Sequence, residues 1–215
     1  MTPVPNRYVD LSHTVADGLV TYPGLPAPAI SDHLSRADSR ERYAPGTEFQ
    51  IGRIEMVANT GTYLDTPFHR YADGHDLSAL PLERIAGVPG IVFGPGDDLT
   101  GDVGGTAVLV RTGWDEHWGT ERYGDPSHPF LSAALTDALV RAEPAFVGID
   151  SVNIDDTRGG GRPVHSALLA AGIPIVEHLT NLGALPASGF EVFAVPVKVA
   201  GMGTFPVRAF ARWSE

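Results

Sequence analysis

The sequence predicts an α/β fold, a mixed β-sheet flanked by helices. Three observations carry that expectation. Short, continuously apolar runs such as Gly90-Ile91-Val92-Phe93 and Ala107-Val108-Leu109-Val110 read as buried strands, because a strand covered on both faces has no polar side to show. Residues 131–142 place Leu135, Leu139 and Val140 at helical spacing, which marks an amphipathic helix with Thr136, Asp137 and Arg141 turned outward. Glycine (25 residues) and proline (18 residues) punctuate the chain often enough for a loop-rich architecture. A length of 215 residues suits one domain over 1–215 with a substantial core.

In chain order, Tyr8-Val9-Asp10-Leu11 reads as a short strand and Tyr22-Pro23-Gly24 as a turn, with proline pre-setting the backbone and glycine relieving it. Residues 31–46 are polar and charged, a solvated loop or short helix in the position of a lid. Residues 47–57 alternate loosely through Phe49, Ile51 and Met56, as a strand that delivers Asn59 onward. Asp73-Gly74 marks a turn, and His75 after it is a surface-loop histidine or a neighbour of the site. Residues 81–85 suit one helical turn. Residues 114–129 read as loop, with His117 and His128 at the surface.

Phe146-Val147-Gly148-Ile149 is a further buried strand. Gly159-Gly160-Gly161-Arg162 lacks the G-x-x-x-x-G-K-[ST] frame of a phosphate loop and reads as plain loop. A short helix opens at His165 and stops at Gly172, and Ile173-Pro174-Ile175-Val176-Glu177 is a strand ending in an acid. Residues 190–199 and 206–213 read as two strands around Gly201-Met202-Gly203.

Composition excludes several functions. A formal net charge of -11, with no stripe of Lys and Arg, argues against a nucleic-acid partner. The absence of cysteine removes disulfides, thiolate zinc sites and thiol nucleophiles, and no G-x-S-x-G elbow is present. Residues 1–7 contain no apolar signal core and no apolar run is long enough to span a bilayer. The expectation is a cytoplasmic protein with no membrane partner.

Chemistry concentrates in Ala58-Asn59-Thr60-Gly61-Thr62-Tyr63-Leu64-Asp65-Thr66-Pro67-Phe68-His69. Its polar groups follow neither helical nor strand periodicity, so it reads as a strand ending in a loop whose side chains converge. Asp65 and His69 are either a metal-ligand or acid–base pair or an Asx-type turn beside a solvated histidine. The stretch resembles the signature H-x-G-T-H-x-D-x-P-x-H of the metal-dependent hydrolases of the cyclase, or bacterial kynurenine formamidase, family. Gly61, Thr62, Asp65, Pro67 and His69 match it, whereas Asn59 and Tyr63 stand where that family has metal-binding histidines. A second match follows far along the chain, in His165-x-x-Leu168-Leu169 and then Glu177-x-Leu179-x-Asn181-Leu182. Gly148-Ile149-Asp150-Ser151 and Pro206-Val207-Arg208-Ala209 also resemble the family, so the likeness covers nearly the whole chain.

The resemblance implies a swivelling β/β/α-type fold, metal ligation by Asp65, His165 and Glu177, and His69 as the catalytic proton carrier. Two oxygen ligands and one nitrogen make a hard site, for one divalent ion: Mn²⁺ or Zn²⁺, with Mg²⁺ as a competitor. Losing two imidazoles weakens the family's other metal position. Tyr63 becomes a candidate oxyanion donor or a surviving ligand, and Asn59 a substrate-binding residue or a ligand through its carbonyl oxygen. Relatives carry an aromatic-Pro-Gly that covers the substrate, which gives Tyr22 that role or the plainer one of packing on its own turn. The implied partner is a small-molecule substrate, an amide, formamide or lactone, in a homodimer or homotetramer. Alternative classes are a metal-assisted lyase, isomerase or polyketide-type cyclase, and a catalytically reduced binding protein.

Overall fold

The computed structural model describes residues 6–94, 96–97, 99 and 101–214; residues 1–5 of the stretch read for a targeting signal lie outside the described residues. Along the chain run β1 (Asn6–Asp10), β2 (Ala29–Leu34), α1 (Arg36–Arg40), β3 (Ile51–Glu55), β4 (Tyr63–Asp65), β5 (Ala86–Phe93), β6 (Ala107–Val110), α2 (Ala133–Ala142), β7 (Phe146–Ile149), α3 (Pro163–Ala170), β8 (Ile175–Glu177), β9 (Ser188–Phe193), β10 (Thr204–Pro206) and β11 (Phe210–Ser214).

Among the described residues nine strands form one mixed sheet, in the order β1-β11-β9-β5-β6-β7-β8-β4-β10. The strands from β5 to β8 are parallel neighbours, and the remaining pairs are antiparallel. Parallel neighbours need a crossover, and α2 and α3 supply two of them, between β6 and β7 and between β7 and β8. The strand period of two divides the core. Val108 and Val110 of β6 join Leu139, Leu168 and Ile175 in one cluster, whereas Ala107 and Leu109 join Leu64, Val176 and Phe190 in another. The α/β class, with a mixed sheet flanked by helices, is what the sequence predicts.

Several local expectations are corrected. The strand expected over residues 47–57 forms as β3, but it leaves the main sheet and pairs with β2 in a separate two-stranded ribbon. β2 itself lies partly in the segment read as loop or short helix, whose helical part is α1. In α2, Thr136 is buried instead of outward, because its hydroxyl donates to the Ser132 carbonyl at 2.9 Å and needs no water. The two C-terminal strands are three, β9, β10 and β11; Pro196 lacks the N–H that would continue the first of them. His128 is 1% exposed, its ring nitrogens satisfied by the Pro129 carbonyl, Ser151 and Thr157. Among the described residues no helix is long and apolar enough to cross a membrane.

Candidate metal centre

Sheet register assembles the site. In the antiparallel pair of β4 and β8, Tyr63 stands opposite Glu177, Leu64 opposite Val176 and Asp65 opposite Ile175. In the next strand Thr204 stands opposite Asp65. Directly opposed residues share a face, so Tyr63, Asp65, Glu177 and Thr204 lie together while Leu64 and Val176 face the core behind them. His165, in the first turn of α3, completes the group.

Ligand atoms of Asp65, His165 and Glu177 all lie within 4.8 Å of one another, and all three residues are buried. His165 Nε2 is 3.7 Å from Asp65 Oδ2 and 3.6 Å from Glu177 Oε1. Asp65 Oδ2 is buried with no hydrogen-bond partner, a costly state for a carboxylate oxygen unless a cation faces it. Burial alone would lower the His165 pKa, but Glu177, Asp155 and Asp65 raise it to about 10. The cluster therefore attracts positive charge, and its donor set fits a divalent ion.

Asp155, which sequence reasoning passed over, orients His165. Its Oδ2 lies 2.7 Å from His165 Nδ1 and accepts the His165 amide at 3.0 Å, while Oδ1 accepts the Val164 amide at 2.7 Å. Burial opposes its charge, yet the hydrogen bonds from His165 and Val164 hold its carboxyl below the ordinary range. With Nδ1–H donated to Asp155, Nε2 faces the two other carboxylates, where it holds a proton that a cation would displace to reach the lone pair. A carboxylate behind an imidazole is the usual arrangement behind a metal-ligating histidine.

His69 follows β4 on a 3₁₀ turn, Pro67–His69, and its side chain is 35% exposed. The close approach of Gly203 to this turn tolerates no side chain: an added Cβ would lie 2.2 Å from the His69 amide nitrogen. His69 Nδ1 is 2.7 Å from the Thr204 hydroxyl, which also contacts Asp65 Oδ1. Proton counting assigns the tautomer. Thr204 has one proton and gives it to the carboxylate, so His69 donates from Nδ1 and keeps Nε2 as an acceptor.

Tyr63 is 2% exposed and its hydroxyl donates to Glu177 Oε2 at 2.7 Å. Burial, Glu177 and Asp65 push its pKa well up, so it is a neutral phenol with its proton committed to Glu177 and not directed at a substrate oxygen. Burial pushes Glu177 up as well, against the pull of His165. Behind Tyr63 lie His178 and Tyr123, both buried. His178 Nε2 is 3.3 Å from the Tyr63 hydroxyl and Nδ1 is 2.8 Å from the Tyr123 hydroxyl. Burial, with a smaller effect from His13, lowers the His178 pKa to about 3.

A cavity of about 300 Å³ opens over this group, with Tyr63, His165 and Glu177 at its base and His69 and Asn59 on its walls. Asn59 also faces the Tyr63 hydroxyl. Tyr22, Arg70 and Arg162 line the mouth, and Tyr22 packs against Trp114, Tyr123 and Val152. Arg162 is held by the carbonyls of Gly159 and Gly161, which gives the glycine run a scaffolding part. Arg70 donates to Ser166 at 3.2 Å. His75 does not line the cavity.

Of the residues expected from sequence, Asp65, His165, Glu177, His69, Tyr63, Asn59 and Tyr22 come together here. Asp155, His178, Tyr123 and Thr204 were missed. Nothing in residue type separates Asp155 from its neighbour Asp156, or Thr204 from other threonines.

A family model described as a putative cyclase matches residues 9–94 and 100–156. A kynurenine formamidase of Maricaulis maris is 27% identical over 215 residues, covering 94% of this chain and 96% of the relative. Isatin hydrolase A of Labrenzia aggregata, solved with benzyl benzoate, superposes with a TM-score of 0.80 at 21% identity over 98% of this chain and 94% of that one. A Bacillus stearothermophilus protein described as a predicted metal-dependent hydrolase superposes with a TM-score of 0.72 at 22% identity, over 97% and 98%. At these identities the likeness to the solved structures is one of fold.

Proposed function

The chain belongs to the putative cyclase family, and from that premise we propose that it is a metal-dependent hydrolase acting on the C–N bond of a small amide or formamide, or on a lactone. The observation that carries the reading is the buried convergence of Asp65, His165 and Glu177, with Asp65 Oδ2 unpartnered, beneath a cavity that His69 also lines. The likeness to kynurenine formamidases supports an amide over an ester or lactone.

A divalent cation held by Asp65, His165 and Glu177 would polarise the substrate carbonyl and lower the pKa of water from about 15.7 toward about 7. The two carboxylates and one imidazole favour Mn²⁺ or Mg²⁺ more than a nitrogen-rich site would, in competition with Zn²⁺. His69 presents Nε2 as a base, takes a proton from the attacking water and returns it to the leaving nitrogen. Thr204 holds the ring in that tautomer. Tyr22 and Asn59 bound the substrate. The guanidinium groups of Arg70 and Arg162, which no carboxylate among the described residues pairs with, favour an acidic group on the substrate.

The test is metal content and hydrolysis of two probes, formanilide and 2-formamidobenzoate, by the wild type and by His69→Ala. The wild type retains about one divalent ion per chain and cleaves the acidic probe with the lower KM. His69→Ala retains the ion and loses turnover, by the roughly 10²–10⁴-fold that a positioned proton carrier contributes. Loss of metal in His69→Ala would make His69 a ligand, and equal KM values for the two probes would remove the arginines from recognition.

A further inference from the structure

Glu177 joins the candidate ligand set to a run of buried hydrogen bonds that ligation alone does not require. Its Oε1 accepts the Ile154 amide at 2.7 Å and is the oxygen facing His165 Nε2 at 3.6 Å. Its Oε2 accepts the Tyr63 hydroxyl at 2.7 Å. Beyond it come His178 Nε2, 3.3 Å from the Tyr63 oxygen, and the Tyr123 hydroxyl, 2.8 Å from His178 Nδ1.

The direction of the run follows from the protons each group owns. A carboxylate only accepts, so Tyr63 donates its one proton to Glu177. The Tyr63 oxygen then accepts, so His178 carries its proton on Nε2. His178 Nδ1 is therefore the acceptor for Tyr123. All three donors are matched without adding charge, at exposures of 4% or less. His178 holds this position with a left-handed backbone, φ 57°, a conformation that non-glycine residues adopt only when their surroundings impose it.

Resting on the reading of Asp65, His165 and Glu177 as metal ligands, we infer that Tyr63, His178 and Tyr123 form a neutral hydrogen-bonded brace that holds Oε2 of Glu177 away from the metal, so that Glu177 offers the ion a single oxygen. Thr204 does the same for Asp65 by occupying Oδ1. Each carboxylate then keeps one oxygen for the ion, Asp65 Oδ2 with no hydrogen bond and Glu177 Oε1 with a lone pair beyond the one that accepts the Ile154 amide, and the chain presents three ligand atoms. A centre with three protein ligands leaves positions for water and substrate, as catalytic metal sites do. The phenol at position 63 thus acts on the metal through Glu177, as a positioning residue.

The experiment is titration of the chelator-stripped full chain with Co²⁺, read by calorimetry and by the visible d–d absorption, whose intensity falls as coordination number rises. The wild type takes up Co²⁺ with the stronger absorption of low coordination number. Tyr63→Phe keeps the ring, frees Oε2 and lets Glu177 close on the ion with both oxygens. The absorption then weakens and the affinity rises by about tenfold, the size of the smaller losses that removing a ligand's partner ordinarily causes but of opposite sign, because Glu177 gains a second bond to the ion. Tyr123→Phe, which removes only the far end of the brace, moves both readouts the same way by less. A packing role alone would lower thermal stability in both variants and leave the spectrum of the bound ion unchanged. An unchanged spectrum in Tyr63→Phe, weaker binding, or a variant that does not fold while Tyr123→Phe has a wild-type spectrum overturns the brace. A wild type that takes up no Co²⁺ overturns the metal reading itself, and the brace with it.

Discussion

Asp155→Asn is the substitution whose outcome the structure specifies in most detail. The carboxylate accepts at Oδ1 from the Val164 amide and at Oδ2 from both the His165 amide and its Nδ1. An asparagine keeps the shape but turns one oxygen into a donor. If its NH₂ takes the Oδ2 position, two His165 donors face it, and the imidazole escapes by giving up its Nδ1 proton and keeping the one on Nε2, the atom that faces Asp65 and Glu177. If the NH₂ takes the Oδ1 position, the Val164 amide loses its acceptor and Nδ1 faces a neutral oxygen in place of a charged one.

A buried donor left without an acceptor costs about 1–3 kcal/mol of stability. Loss of the partner behind a ligating histidine costs about 10–100-fold in metal affinity, or about 1.4–2.8 kcal/mol at 1.4 kcal/mol per decade. Calorimetric titration of the stripped protein with Mn²⁺ reads the affinity, and urea unfolding without metal reads the stability. Asp156→Asn is the control, because Asp156 pairs with Arg158 at the surface at 2.7 Å and should leave Mn²⁺ binding unchanged. A folded Asp155→Asn protein that binds Mn²⁺ as tightly as the wild type would refute the orienting role.

Two further predictions follow from features away from the ligands. The β2–β3 ribbon exposes the opposed pair Ile30 and Ile54, 45% and 49% exposed; a two-stranded ribbon is marginal alone in water and apolar exposure marks interfaces, so light scattering should find a homodimer or homotetramer, and a 22.8 kDa monomer at micromolar concentration would count against it. His13 stacks on Trp118 with ring centroids 3.8 Å apart, and burial, opposed by Asp115, lowers its pKa from 6.5 to about 4. The unfolded chain therefore binds the extra proton between those values, so this contribution is complete above about pH 6.5 and is lost as pH falls toward about 4. Urea midpoints measured across that window should fall less steeply in His13→Gln, and an equal fall would assign the acid sensitivity elsewhere.

How much of the fold could be read in the sequence depended on what each strand buries. β6, β7 and β8 are buried at every residue and appear in the sequence as apolar runs. β3 has no buried residue, so its weak alternation could not say which sheet it joins. The helix stop at Gly172 was readable because a left-handed backbone, φ 71° there, favours glycine. Thr136 went wrong for a different reason: a hydroxyl that bonds back to its own helix ceases to behave as polar, and residue type does not announce that.

In the site, the side chains with distinctive chemistry could be read and their partners could not. Asp155 and Asp156 are adjacent acids, yet one turns inward to two amides and an imidazole while the other turns out to Arg158; one step of backbone separates the roles. Tyr63 shows the same limit. Read along the chain, it is a position that lacks an imidazole. Read across the sheet, it stands opposite Glu177, so any residue there forms part of the surroundings of that carboxylate. A buried phenol that stays protonated meets a carboxylate by donating to it. Position 63 and Glu177 therefore have to be considered as a pair, and changing either alters what the other presents to an ion.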